Sequence, residues 1–251
     1  SYLTTVSSQV LTDLENDGQS RQVLFLDANG HILYAALAVA ALVPESGEQS
    51  VLLLVDAGCG EGLAQLLNSR RFMLRVQAQV RPDLQVAGAI GDGVQKLAGV
   101  VENLVTTWSD PWPGITPGGS TYFTGTRHPG ANYRAGGVVV ALEAGQTAPD
   151  QAAAPGQEQA SGQEAAPGQE HALAPGQEQA SGQEPGQVLA AAGLTQGLTQ
   201  VGELAWEALR IEAGLPRWAR EVDARAIPNE LDWLRTGVHL NKGCYPGQET
   251  I

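Results

Sequence analysis

The first hundred residues alternate between strand-like and helical patterns of hydrophobic positions. Residues 23–34 hold two apolar runs separated by Asn-Gly, the strongest short hairpin indicator. A continuous apolar run at residues 51–55 predicts a buried strand. Leucines at i, i+3 and i+4 within residues 62–71 predict a helix with one apolar face.

Two further strands follow in the prediction. Residues 75–80 alternate between polar and apolar side chains, and residues 86–90 are mostly apolar. The next three residues, Gly91-Asp92-Gly93, are interpreted as a turn and not as a dinucleotide-binding loop, since neither a third glycine nor a helix start is expected after them. This order of elements predicts an α+β fold with helices on an antiparallel or mixed sheet.

A second apolar stripe with helical spacing lies near the end of the chain. It predicts a helix that leads into Arg210-Ile211-Glu212, and its members are Val201, Leu204, Ala205, Ala208 and Leu209. Between the two helical regions, residues 109–119 are rich in Pro, Gly and Trp and predict a long loop. The loop is either a lid over a pocket or a plain surface connection, and the second interpretation is favoured.

An acidic repeat divides the chain. An eleven-residue unit rich in Pro, Gly, Gln and Glu occupies residues 154–164 and returns identically at 174–184. Such units bury too little apolar surface to offset the entropy of ordering. We therefore predict a disordered insert at residues 144–188, a neutral expansion rather than a partner-binding segment, between two parts of one domain at residues 1–143 and 189–251.

Charge and composition exclude several classes of protein. The net charge of −13 includes seven acidic residues within residues 141–190, which leaves −13 + 7 = −6 elsewhere. The chain has no basic stripe for nucleic acid. The longest apolar run, residues 32–43, is shorter than the ~20 residues of a membrane helix. Two cysteines are too few for a disulfide framework, and the four histidines are scattered without metal-ligand spacing. Together these observations predict a cytoplasmic protein without membrane or nucleic-acid partners.

The most informative chemistry lies at residues 242–249, Lys-Gly-Cys-Tyr-Pro-Gly-Gln-Glu. Tyr-Pro-Gly-Gln suits a type II turn, with glycine at the position of positive φ. Gly243 frees the backbone before Cys244, and the cation of Lys242 favours a reactive thiolate. The alternative is a buried structural cysteine beside an ordinary turn. The flanking glycines and the lysine favour a presented thiol.

This octapeptide resembles the signature K-G-C-[FY]-x-G-Q-E of the YgfZ-type folate-binding proteins, iron–sulfur cluster assembly or repair factors related to the aminomethyltransferase of glycine cleavage. Residues 209–216 are similar to the R-[IL]-E-x-G-x-P segment of both branches, and residues 227–231 to the P-x-E-L step before the cysteine. The resemblance implies an aminomethyltransferase-like folate-binding domain of two α/β subdomains. It also implies a C-terminal β-barrel, which we expect to be missing from this chain.

The same resemblance implies tetrahydrofolate or a derivative as cofactor, and iron–sulfur assembly proteins or client enzymes as partners. Cys244 and Lys242 become the candidate catalytic residues, with the Cys244 thiol expected at the mouth of the folate site. The candidate folate-binding residues are Glu212, Tyr245, Gly243, Gln248 and Trp218. A carboxylate such as Glu212 can accept two hydrogen bonds from the pterin edge, and the aromatic rings can stack on it. The alternatives are that Glu212 pairs with Arg210 or Arg217, and that the aromatic residues belong to the core.

One segment departs from the aminomethyltransferase pattern. The segment similar to N-A-G-C-W-E-K-D reads Asp-Ala-Gly-Cys-Gly-Glu-Gly-Leu at residues 56–63, without the final aspartate of the transferases. Loss of that carboxylate argues against an active aminomethyltransferase, and Cys59 is interpreted as structural. A folate-dependent one-carbon transferase and a non-catalytic folate sensor remain the alternative functions.

Overall fold

The computed structural model describes residues 1–15, 17–42, 49–142 and 196–251. Its helices are α1 (Tyr2–Val6), α2 (Gly60–Arg70), α3 (Gly93–Ala98), α4 (Glu203–Glu212) and α5 (Trp218–Glu221), with 3-10 turns at Pro129–Asn132, Pro228–Leu231 and Gln248–Thr250. Its strands are β1 (Ser20–Leu26), β2 (Ile32–Leu42), β3 (Gln49–Leu54), β4 (Leu84–Ile90), β5 (Leu104–Ser109) and β6 (Ala135–Ala141).

The strands form two antiparallel sheets of three, in the orders β1-β2-β3 and β4-β6-β5. The sheets meet through a buried cluster of Val39, Trp108 and Val139. The Thr106 hydroxyl on β5 also donates to the Ala40 carbonyl on β2 over 3.1 Å. Two small sheets with short helices make this an α+β architecture.

The predicted hairpin is confirmed, but its connection is longer than a two-residue turn. β1 and β2 pair from Ser20↔Val39 to Leu26↔Ile32. The connection is shaped by the Asp27 carboxylate, which accepts the backbone N–H groups of Asn29 at 2.8 Å and His31 at 2.9 Å. An aspartate that bonds the backbone ahead of it is a common way to close a turn.

Three other predicted elements are also confirmed. The strand at residues 51–55 corresponds to β3, the strand at 86–90 to β4, and the helix at 62–71 to α2. Leu63 and Leu67 of α2 are buried, as the leucine spacing predicts.

The predicted strand at residues 75–80 is wrong. This segment runs along α2, and helix side chains satisfy part of its backbone. Asn68 accepts the Ala78 N–H at 3.1 Å and donates to the Ala78 carbonyl at 2.7 Å, and Arg71 donates to the Val76 carbonyl at 3.1 Å. Alternation describes the side chains, but it does not choose between a neighbouring strand and a helix as the backbone partner.

Two helix predictions need correction. Helix α3 begins at Gly93, the last residue of the predicted turn, so the expectation that no helix starts there was wrong. Helix α4 forms where the second apolar stripe predicts it, but that stripe faces solvent, with Leu204 86% exposed. Its buried face carries Trp206, which lies against Gly88 of β4, and Arg210, which is neutralised by two glutamates.

The predicted insert at residues 144–188 and its junction with the last part of the chain lie outside the described residues. The two flanking parts share one hydrophobic core. Its largest fully buried side chains are Leu24 and Trp112 from the first part and Trp233 from the second. None of the described helices combines the length and the hydropathy that crossing a membrane requires.

Candidate functional site

The predicted turn in the cysteine octapeptide is present and rigidly supported. The Gln248 N–H donates to the Tyr245 carbonyl at 3.3 Å, and Gly247 has φ 79° and ψ 0°, as a type II turn requires. A Cβ at Gly247 would lie 2.5 Å from the Asp27 carbonyl oxygen. The hairpin connection between β1 and β2 therefore packs directly against this turn and leaves space only for glycine.

Lys242 is directed away from solvent. Its Nζ donates to the carbonyl oxygens of Thr4 and Ser7 at the end of α1 and lies 4.2 Å from the centroid of the Tyr245 ring. Carbonyls at a helix C-terminus and an aromatic face both favour a cation. Burial nevertheless lowers the pKa of the lysine to about 8. The sequence predicted that this cation lies near the Cys244 thiol, but the contacts of Lys242 with the described residues do not include that thiol.

Cys244 is exposed, in contrast to the other cysteine. Gly243 before it is also exposed, and a side chain added there would meet nothing within 4 Å. Cys59 is buried at the start of α2, where burial and the nearby Asp56 carboxylate raise the pKa of its thiol to about 11. The interpretation of Cys59 as structural thus agrees with a buried, protonated thiol, and Cys244 is the accessible one.

A large open cavity lies elsewhere, along β4. Its volume is about 1330 Å³, above the ~300–1,000 Å³ common for small-molecule sites. Strand β4 forms one side, and residues 54–57 and 198–203 form others. Four tryptophans line it: Trp108, Trp206, Trp218 and Trp233.

Several polar atoms of the lining residues are buried without a partner. They are the Oε1 atom of Gln85 and the indole nitrogens of Trp108, Trp218 and Trp233, none of which has a hydrogen-bond partner among the described residues. Buried donors and acceptors are normally paired, because an unmade bond costs about 1–3 kcal/mol. These atoms are themselves buried, so a ligand in the cavity could reach them only if the side chains of the lining moved.

Asp110 contributes a carboxyl to the same cavity. It follows β5 directly, where its N–H donates to the Ala135 carbonyl at 2.9 Å. Its Oδ1 accepts the Trp112 backbone N–H at 2.8 Å, and burial raises the pKa of the carboxyl to about 6. Sequence reasoning missed this residue, and the sign that could have revealed it is an acid between a strand and a Pro-Trp-Pro segment.

An ionic network forms another side of the cavity. Arg217 donates to Asp56 Oδ1 at 2.6 Å and to Glu207 Oε1 at 2.8 Å. Asp56 Oδ2 also accepts the Ala219 N–H at 3.0 Å. Burial opposes the charge of Arg217, but the bonds to Asp56 and Glu207 outweigh it and raise its pKa. Asp56, from the segment compared with aminomethyltransferases, therefore anchors the start of α5.

Of the predicted folate-binding residues, the structure places only Trp218 on the cavity. Trp218 stacks on Tyr34 with centroids 5.7 Å apart and planes inclined by 18°. Glu212 is exposed at the end of α4, and neither Arg210 nor Arg217 pairs with it, since other acids hold both. The alternative interpretation of Glu212 as their partner is thus wrong.

The octapeptide is separate from the cavity. Tyr245 is only 8% exposed and belongs to the main core, with the pKa of its hydroxyl raised to about 12 by burial. Of the described residues that line the cavity, none comes from residues 242–249, so Lys242, Gly243, Cys244 and Gln248 do not reach it. The Cys244 thiol, expected at the mouth of the folate site, therefore lies outside this cavity.

Comparison with known proteins gives a partial similarity. No family model matches the chain. A stretch of 62 residues is 44% identical to the Arabidopsis thaliana protein named "Putative transferase At1g60990, chloroplastic". The match covers 23% of this chain and 13% of that protein. The similarity thus covers a little under a quarter of this chain and a small part of a protein whose name refers to a transferase and to the chloroplast.

Proposed function

We propose that this chain is a YgfZ-type folate-binding protein that supports assembly or repair of iron–sulfur clusters in client enzymes. The observation that carries the folate part is the cavity lined by four tryptophans, with one carboxyl of raised pKa at Asp110. The cluster part is supported by the octapeptide, whose thiol is exposed on a rigid turn. A protein in the cytoplasm with the aminomethyltransferase-like fold remains part of the proposal.

Asp110 replaces Glu212 as the proposed acceptor for the pterin. The pterin edge carries an N–H and an amino group side by side, which a carboxylate accepts as a bidentate pair. Asp110 lies on the cavity, whereas Glu212 does not. Among the tryptophans, Trp218 is the proposed stacking partner, because its ring lines the cavity and is already stacked on Tyr34.

Cys244 is the proposed working thiol for cluster chemistry. Iron–sulfur clusters are usually held by four ligands, so one thiolate must share any cluster with a partner protein or a small thiol. The exposed position of Cys244 permits such sharing. Because no residue of the octapeptide is among the described residues that line the cavity, this proposal has folate and cluster bound at two different places.

Asp110→Asn is expected to weaken binding of 5-formyltetrahydrofolate by about 10- to 100-fold, because a charged acceptor is replaced by a neutral amide. Tryptophan fluorescence quenching and calorimetry at pH 7.5 measure the affinity. Glu212→Gln is the matched control, the same loss of charge at an exposed acid outside the cavity lining. Wild-type protein that does not bind, or equal losses in both variants, contradicts the folate proposal.

The raised pKa of Asp110 also predicts how the stability of the protein depends on pH. Its pKa is raised from 3.8 to about 6 by burial, so between these values the unfolded chain releases a proton that the folded chain keeps. Stability from this group is therefore present at low pH and is lost as pH rises towards 6. We expect Asp110→Asn to melt at a higher temperature than wild type at pH 7.5 and close to it at pH 4. Equal melting temperatures of wild type and Asp110→Asn at both pH values would contradict this prediction.

Folate-dependent one-carbon transfer is a second candidate. One specific observation favours it, a cavity carboxyl whose pKa of about 6 suits proton transfer near neutral pH. The partial similarity to a protein named as a transferase points in the same direction. Release of methylene-tetrahydrofolate from an aminomethyl donor tests it, and no release at millimolar donor excludes it.

A further inference from the structure

Arg235 is a buried guanidinium that contacts several polar neighbours. It is 2% exposed, and its NH2 group donates to the carbonyls of Trp112 at 3.1 Å and Gly114 at 3.0 Å. Its NH1 group lies 2.9 Å from Nδ1 of His128, and its Nε lies 3.7 Å from the Asp232 carboxylate. A buried charge is tolerated only where it is paired and hydrogen-bonded, as here.

These contacts fix the loop at residues 109–119. The guanidinium lies 4.8 Å from the centroid of the Trp112 ring and bonds the carbonyl of the same residue. In return, the Arg235 carbonyl accepts the Thr116 N–H at 2.9 Å, and the Leu234 carbonyl accepts the Ser120 N–H at 2.9 Å. The loop is therefore held in place by backbone and guanidinium contacts from residues 234 and 235.

Trp112 connects Arg235 to the Asp110 carboxyl. Its backbone N–H donates to Asp110 Oδ1 at 2.8 Å. Its indole N–H donates to the Ala213 carbonyl at 2.9 Å, beyond the end of α4, and its ring is 1% exposed. The side chain is thus locked in the core, and the only described hydrogen bond to the Asp110 carboxyl comes from this locked residue.

We propose that Arg235 is a positioning residue: by holding Trp112 it keeps a backbone N–H on the Asp110 carboxyl and so sets the orientation and charge with which that carboxyl meets a ligand. The ligand part rests on the proposed function, whereas the effect on Asp110 in the free protein does not. Among the described residues, no other group donates a hydrogen bond to this carboxyl.

Other charged and titratable groups must be separated from this effect. Tyr133 faces Asp110, and its hydroxyl pKa is raised by burial and by the Asp110 charge. Charged residues elsewhere on the cavity lining are Asp56, Glu203, Arg217 and Arg220. Beside Arg235 itself, burial and the guanidinium lower the pKa of His128, so loss of Arg235 also changes the titration of that ring. A direct observation of the Asp110 carboxyl avoids these ambiguities.

The first experiment titrates the free protein by NMR with 13C-labelled aspartate, and Asp110→Asn assigns the resonance. In Arg235→Met the Asp110 midpoint is expected to rise by about 0.5–1 pH unit, because a carboxylate that loses a hydrogen-bond donor is harder to ionise. Arg235→Lys is expected to give a smaller rise, since a lysine cannot bond two carbonyls in the fork geometry of arginine. Arg75→Met, at an exposed arginine, is the matched control with no shift.

An unchanged midpoint in folded Arg235→Met overturns the proposal. If that variant does not fold, Arg235→Lys decides, and an unchanged midpoint there has the same meaning. The second experiment measures 5-formyltetrahydrofolate affinity from pH 5 to pH 8, where the midpoint of binding is expected to move upward with that of Asp110. Failure of wild type to bind counts against the proposed function, while the NMR midpoint still decides the role of Arg235.

Discussion

Replacing Cys244 with alanine is expected to abolish the rescue of iron–sulfur enzyme activity in a host that lacks its own YgfZ-type factor. Cys244 is the exposed one of the two thiols, and alanine removes the only sulfur that a partner could reach on this turn. The complete gene is expressed under oxidative stress, and the activity of an iron–sulfur enzyme in extracts is measured. The expected result is loss to the level of the empty vector, with unchanged amounts of the protein.

Cys59→Ala provides the matched control, because it removes the buried thiol and is expected to retain rescue. Equal rescue by Cys244→Ala and wild type would contradict a working thiol and would favour the non-catalytic folate sensor. Absence of rescue even by wild type would contradict the cluster function as a whole. The folate-binding measurement is independent of all three outcomes, since it concerns the cavity and not the octapeptide.

Gly137→Ala is expected to have the largest effect on stability. Gly137 lies in β6, the central strand of its sheet, between Gly88 of β4 and Trp108 of β5. A Cβ there would lie 1.9 Å from the Ala87 carbonyl oxygen and 2.6 Å from the Trp108 indole nitrogen. The backbone of a central strand cannot yield without losing its ladder, so we expect a cost of about 3 kcal/mol or more. Urea denaturation at pH 7.5 measures it.

Gly243→Ala is the control for this measurement, because the same methyl group would enter open space. Its unfolding midpoint is expected to match that of wild type. A Gly137→Ala protein with wild-type stability would show that the two strands beside β6 are not as close as the structure places them. Trp108 also lines the cavity. A Gly137→Ala protein that folds with the Trp108 side chain displaced is therefore expected to bind the proposed folate ligand more weakly.

Local features could be predicted because local residues determine them. The Tyr-Pro-Gly-Gln turn needs only a proline and a residue that accepts positive φ, and both are adjacent in the chain. The hairpin at residues 23–34 follows from two apolar runs and the short polar connection between them. The segment at residues 75–80 was predicted wrongly, since its pattern does not specify whether the backbone partner is a strand or the side chain of Asn68.

The candidate site could be predicted only in part. Cys244 was found from its glycines and its motif, which are contiguous. Asp110 was missed because what distinguishes it is the burial of its carboxyl and its place on the cavity, and both depend on elements far apart in sequence. Glu212 was selected by its segment, but the buried face of α4 carries Trp206 and Arg210 instead.

By itself, the sequence determined the α+β pattern, the rigid glycine turn and the accessible thiol, because each depends on neighbouring residues and on the period of the side chains. Tertiary structure alone decided which acids and tryptophans meet at the cavity and which face of α4 is buried. It also decided that Lys242 bonds α1 and that Arg235 holds the loop bearing Asp110. Such contacts join residues more than a hundred positions apart, and their energies come from packing and desolvation that no short segment contains.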